Sequence, residues 1–182
     1  MSSRIVRGCR PALIALLVAL TVGTAAAQPL RPPDDPSSGW QRVVSQEGRF
    51  SVLMPEQPKM STGTFQTRSN RPFRTTDYTL DRNDGRVYIV AYSDFEEGTT
   101  VNVDDIIASF ANRMKGKVVS RIRTTIKGHP LDGVEVESAD YRFRLGFFAI
   151  GARLYQITYG ALGDRFSTSE AEAFMQSFSL SP

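Results

Sequence analysis

Arg142–Gly160, RFRLGFFAIGARLYQITYG, is the stretch whose reading decides the fold. Phe143, Leu145, Phe147 and Ala149 alternate along one face of an extended segment, while Phe148 and Ile150 project to the other. Gly151-Ala152 is a Gly-X pair suited to a two-residue type II′ turn, so Leu154-Tyr155-Gln156-Ile157-Thr158-Tyr159 folds back as a second arm. In that register Phe148 opposes Tyr155 and Gly146 opposes Ile157 on one side, with Ala149 opposite Leu154 on the other. A half-solvated sheet alternates cleanly with polar residues; this hairpin is apolar on both sides, so both faces need cover.

Two amphipathic helices are available to provide it. Asn102 caps the first, with Asp104 and Asp105 in the positive first turn. Ile106, Ile107, Phe110 and Met114 form its apolar stripe, Arg113 and Lys115 occupy the last turn, and Gly116 ends it. The second starts at a capping box, Ser167 with Glu170 or Ser169 with Glu172, and buries Ala171, Phe174, Met175 and Phe178. The expected fold is therefore α+β: an antiparallel sheet covered by helices on both faces, an α/β/α sandwich.

The remaining strands follow from alternation and breakers. Trp40–Val44 and Phe50–Met54 are short candidates, the latter stopped by Pro55 and Pro58. Thr62–Thr67, Phe73–Leu80 and Val87–Tyr92 come next, with Asn83-Asp84-Gly85 turning the chain between the last two. A further hairpin pairs Val118–Lys127 with an arm that points Val134 and Val136 inward and Glu135 and Glu137 outward. Ile122 and Ile126 are expected to face in, and Arg121, Arg123 and Lys127 out, where the arginines would meet the glutamates across the strands.

Ahead of this domain, Arg4, Arg7 and Arg10 precede the apolar run Ala12–Val22, and Ala25-Ala26-Ala27 supplies a small-x-small cleavage pattern. Residues 1–27 read as a signal peptide, 28–39 as a Pro-rich flexible linker, and 40–182 as the folded domain. The apolar run is short of the roughly 20 residues that span a bilayer, so no stable membrane insertion is expected after cleavage. Cys9 is the only cysteine of the 182 residues and lies inside that segment, so the remainder has no disulfide or thiolate. The formal net charge of +3 belongs to the same segment: three of the 22 basic residues lie in it, which leaves 19 against 19 acidic ones. With no net positive charge left, nucleic-acid binding loses its main support. The expectation is a periplasmic or secreted protein, and a monomer.

Gly48-x-Phe50-x-Val52-x-x-Pro55-x-x-Pro58, Gly128-x-Pro130 followed by Glu135, Arg153-x-Tyr155-Gln156-Ile157, and Phe174-x-x-Ser177-Phe178 together resemble the PsbP-like family. That family contains the extrinsic photosystem accessory protein and shares its fold with the Ran-release factor of nuclear import. The resemblance covers roughly Trp40 to Pro182. It implies an antiparallel sheet between helices and a role in docking onto other proteins, with no shared catalytic residues.

Catalytic and metal chemistry is thinly represented. His129, the only histidine, sits between Gly128 and Pro130 and is a general-base or single-ligand candidate, against the plainer reading of a turn residue. No Gly-x-Ser-x-Gly elbow, His-Glu-x-x-His pair or Gly-rich phosphate loop accompanies it. Asp132, Glu135, Glu137 and Asp140 form the densest acidic cluster and could hold Ca²⁺ or Mg²⁺; Asp94, Glu96 and Glu97 make a similar group. Pairing with arginines, or solvation, is the competing account of both. The aromatics Phe65, Phe73, Tyr78, Tyr88, Tyr92, Tyr141, Phe147, Phe148, Tyr155 and Tyr159 could line a cavity for an apolar guest, or simply form the core. The expectation is a non-enzymatic envelope module without catalytic, cofactor or metal residues that binds another envelope protein. The alternatives are a carrier of a small apolar ligand or lipid, and a hydrolase built on His129 or the acidic cluster.

Overall fold

The computed structural model describes residues 35–181, apart from 68, 69 and 127. The signal segment, most of the linker and Lys127 lie outside the described residues. At the described end of the linker, Asp35 Oδ1 accepts hydrogen bonds from the Ser37 backbone N–H at 2.9 Å and hydroxyl at 2.7 Å, and Ser37 is buried. Such a turn, closed by a side chain on its own backbone, directs the chain into the first strand.

In chain order the elements are β1 (Gln41–Ser45), β2 (Phe50–Met54), β3 (Lys59–Gln66), β4 (Pro72–Asp81), β5 (Arg86–Asp94), α1 (Val103–Arg113), β6 (Lys117–Ile126), β7 (His129–Glu137), β8 (Tyr141–Ile150), β9 (Arg153–Leu162), α2 (Thr168–Ser177) and β10 (Ser179–Leu180). Two antiparallel sheets result: a seven-stranded one in the order β3-β4-β5-β9-β8-β7-β6, and a three-stranded one in the order β1-β2-β10. The β8–β9 hairpin has the expected register, Phe148 opposite Tyr155, Ala149 opposite Leu154 and Gly146 opposite Ile157. Gly151 takes φ +57° at its turn, the left-handed value that the first position of a type II′ turn requires.

The large sheet has a front face carrying Tyr88, Tyr92, Phe148, Tyr155, Ile157 and Tyr159. These pack against Phe50, Val52 and Met54 of the small sheet and against Ala171, Phe174 and Phe178. The back face carries Val134, Val136, Phe143, Leu145, Phe147 and Leu154, which pack on Ile107, Phe110 and Ala111 of α1. The α/β/α sandwich is thus not the fold. Strands dominate, and the front face is covered by a second sheet with α2 beside it rather than by a layer of helices. The cause lies in β2: Phe50, Val52 and Met54 are all fully buried, and Pro55 and Pro58, which have no N–H for a ladder, break it from β3. A short strand with a wholly apolar buried face, detached from the main sheet, finds its cover by lying across that sheet's front.

Both helices form where the caps place them. Asn102 accepts the Asp104 N–H, and Ser167 accepts that of Glu170. At the end of α1 it is Lys115, not Gly116, that adopts positive φ (+51°). Gly116 serves a different need, since a Cβ there would lie 2.7 Å from the Glu137 carbonyl oxygen.

The β6–β7 hairpin departs from expectation. A bulge between Val118 and Ser120 shifts its register. Ile122 is 43% exposed, because it sits on an edge strand beyond the front cover. Glu135 is buried rather than outward, and it meets Arg142 and Arg144 of β8 instead of Arg121 and Arg123.

Candidate functional site: a groove beside the first helix

Seven strands at about 4.8 Å spacing make a sheet some 29 Å across, and a helix about 10 Å wide cannot cover it. On the back face α1 lies over the β7–β8 side, leaving the β3–β4–β5 side open. A groove of about 550 Å³ runs along that boundary. Its floor comes from Ala91 and Ser93 of β5, Thr75 of β4, and Leu154 and Gln156 of β9. One wall is the N-cap Asn102 with the stripe Asp105, Ile106, Ser109 and Arg113 of α1, which recurs at helical spacing. The opposite wall is aromatic. Phe65 and Phe73 stand 5.8 Å apart, and Phe73 stacks on Phe95 at 4.6 Å.

Phe95 is held there by the loop that leaves β5. Its N–H donates to the Ala152 carbonyl at 3.0 Å, and Thr99 N–H donates to Glu96, closing a turn in which Gly98 takes φ +77°. The floor's polar groups are partly spent on one another: Thr75 and Ser93 hydroxyls are 2.8 Å apart, and Gln156 Nε2 donates to Thr158 at 3.0 Å. The Thr99 hydroxyl, also in the lining, is shielded from solvent and has no hydrogen-bond partner among the described residues.

Of the aromatic residues nominated from sequence, the groove takes only Phe65 and Phe73. Tyr88, Tyr92, Phe147, Phe148, Tyr155 and Tyr159 are core, Tyr78 packs against the core's margin, and Tyr141 stacks on Phe143 at the surface. Phe95 and the whole α1 wall were missed. The available signal was parity: residue 95 continues the alternation of Ala91 and Ser93, and an aromatic amid Asp94, Glu96 and Glu97 is out of character with its neighbours.

The polar candidates are accounted for elsewhere. Among the described residues no group of three His, Cys, Asp or Glu is placed to hold a metal ion. Within the acidic cluster, Asp132 pairs with Arg123 at 3.4 Å, and Glu135 is gripped by Arg142 and Arg144, each at 2.6 Å. Glu137 faces solvent, and the Asp140 carbonyl accepts the Gly163 N–H. Burial opposes the charge on Glu135, but the two guanidiniums outweigh it and hold its carboxyl below the usual range. Asp94 binds Arg153 through both carboxylate oxygens, while Glu96 and Glu97 are exposed. His129 stacks its ring 6.2 Å from that of Phe148, and no described side chain hydrogen-bonds it.

The densest buried polar group is one that the sequence did not single out. Glu170, beyond its capping role, accepts hydrogen bonds from the Tyr88 and Tyr159 hydroxyls, the latter at 3.0 Å. It also lies 3.1 Å from Arg86 Nε, as an ion pair without hydrogen-bond geometry. Burial first, and the carboxylate second, push Tyr159 up to about 12 and raise Tyr88 as well. This cluster is enclosed between α2 and the front face and pins one to the other.

Residues from three of the four sequence patterns quoted above meet in packing on the same front side. Tyr155 donates to the Gly48 carbonyl at 3.0 Å, Phe178 stacks on Phe50 at 5.5 Å, and Leu53 N–H donates to Ser177 Oγ at 3.0 Å. These residues close the small sheet over the large one, away from the groove.

No protein-family model matches the chain, and no curated protein matches it. Among solved structures, a Pseudomonas aeruginosa protein of unknown function is similar at 14% identity with a TM-score of 0.32, over 69% of this chain and 84% of that one. A likeness at that level carries no argument about fold or role.

Proposed function

We propose that this is an exported, non-catalytic binding protein whose site is the groove between α1 and the open side of the large sheet, and that its guest is a small molecule with an apolar body. The observation that carries the reading is the Phe65–Phe73–Phe95 row facing Ile106 and Leu154 across about 550 Å³. Volumes of this order, with mostly apolar linings and a few polar groups, are typical of small-molecule sites. The charged and apolar pattern of residues 1–27 supports export to the periplasm or outside the cell. The arginine pairing of Asp132, Glu135 and Asp94 supports the absence of catalysis, because those carboxylates are already engaged.

Gentle purification followed by native mass spectrometry tests this directly. The expected result is a small-molecule adduct that is lost in Phe73→Ala. A bare polypeptide mass, together with no uptake of any apolar probe, would contradict it.

A second reading has its own observation. β3 is an eight-residue edge strand with only one charged residue, Lys59, and it exposes Met60 (63%) and Phe65 (53%). Sheets usually guard such an edge, and an unguarded one is a template for a partner's strand. Docking onto another envelope protein, the role implied by the PsbP-like resemblance, would use this edge. Cross-linking from Met60→Cys to an envelope partner would favour it; a Met60→Lys variant with unchanged partner recovery would count against it.

A further inference from the structure

Resting on the groove as the binding site, we propose that its guest is an anionic amphiphile: an apolar, ring-sized body lying on the phenylalanine row, with a carboxylate, sulfonate or phosphate head against Arg113.

The charge distribution around the groove decides the sign. The α1 wall carries two ionisable groups, Asp105 and Arg113, eight residues and so about 12 Å apart along the axis. Asp105 is already engaged in an interaction. Arg113 has no carboxylate within ion-pairing distance among the described residues, and its one ring neighbour is Phe110 of its own helix, 6.0 Å from the guanidinium. The chain's other well-placed arginines are taken, Arg142 and Arg144 by Glu135 and Arg153 by Asp94. The groove therefore offers a cation at the Arg113 end, a carboxylate at the far Asp105 end, and neutral hydroxyls and an amide along the floor between them. A guanidinium pairs with a planar or tetrahedral anion through parallel N–H donors. A neutral head at this end would leave that donor fork to water, and a cationic one would be repelled by it.

Two dyes that share one ring system separate the head-group claim from the groove claim. Phenylnaphthylamine is neutral, and anilinonaphthalene sulfonate adds an anion to the same rings. Titration of the full folded protein with each, by fluorescence and calorimetry, is repeated in Arg113→Gln, Arg113→Glu and Phe73→Ala. Arg113 is exposed, so its variants should melt with the parent; matching melting curves verify this. The expected result is that Arg113→Gln weakens the sulfonate about three- to five-fold, the range of a partly exposed ion pair. Arg113→Glu should weaken it further, the neutral dye should be unaffected by either, and Phe73→Ala should weaken both. Added salt should weaken only the sulfonate. Equal affinity for the two dyes with no effect of Arg113→Gln would overturn the anionic guest and leave the groove reading standing. Binding of neither dye, or binding indifferent to Phe73→Ala, would overturn both.

Discussion

Replacing Glu170 by Gln should destabilise the protein by about 2–3 kcal/mol, although the two side chains have nearly the same shape. Hydrogen bonds to a charged acceptor contribute about 1.5–3 kcal/mol each, against roughly 0.5–1.5 for neutral pairs. Glutamine turns two bonds of the first kind, from Tyr88 and Tyr159, into the second kind, a loss near 1 kcal/mol apiece. Arg86 retains Asp84 at 2.9 Å and is 30% exposed, so its share is under about 1 kcal/mol. For a domain of this size the sum lowers Tm by about 5–10 °C. Urea denaturation followed by Trp40, the only tryptophan and 5.5 Å edge-on to Tyr88, reads the change. The pH dependence supplies a second reading. Both tyrosines have folded pKa values above the unfolded value of about 10. Their contribution is complete below that pH; the share of Tyr159 is lost as pH rises from there through about 12, and that of Tyr88 higher still. In Glu170→Gln the alkaline loss should be shallower, since part of the upward shift is gone. A variant within about 0.5 kcal/mol of the parent, with an unchanged alkaline limb, would refute the inference that this carboxylate pins α2 to the sheet.

Phe178→Ala should cost about 3–5 kcal/mol in the same urea assay, because the ring is fully buried against Phe50, Phe148 and Tyr155. Glu135 has a depressed folded pKa, so its stabilisation is present above the unfolded value of about 4.3 and is lost as pH falls through the folded one. Glu135→Gln should accordingly flatten the acid limb of the stability curve, as measured by melting from pH 7 down to 3. Gly160→Ala should destabilise by about 1–3 kcal/mol through overpacking, since a Cβ there would collide with the Phe143 ring and Val87; calorimetric melting checks it.

Local patterns in the chain reached the hairpin register, the caps at Asn102 and Ser167, and the burial of both sheet faces. Each of these depends on neighbours a few residues apart or across one turn. The closing of the fold depends on longer range. β10 is two residues long, too short for any alternation, yet it completes the small sheet. That Phe50, Val52 and Met54 would cover the front face, in place of a helix layer, follows from where two sheets meet and not from their own spacing. Glu135 shows the same limit: alternation gives the side of the strand, but only the neighbour β8 shows that two arginines wait there. Ile122 is on an apolar parity at a place where the cover has ended. The groove was least legible of all, because it is the area that α1 leaves bare. Its two phenylalanines from β3 and β4 could be nominated, whereas the helix wall and Phe95 join them only through tertiary packing.

The account rests most heavily on the groove as the place where a guest sits. Amide chemical-shift mapping of the isotope-labelled protein, titrated with phenylnaphthylamine, tests this most directly. The prediction is saturable shifts at Phe65–Thr67, Phe73–Thr75, Ala91–Asn102, the Asp105–Arg113 stripe and Leu154–Gln156, with β1, β2 and Trp40 unmoved. Shifts centred on the front-face seam around Phe50 and Phe178, or none that saturate, would contradict it.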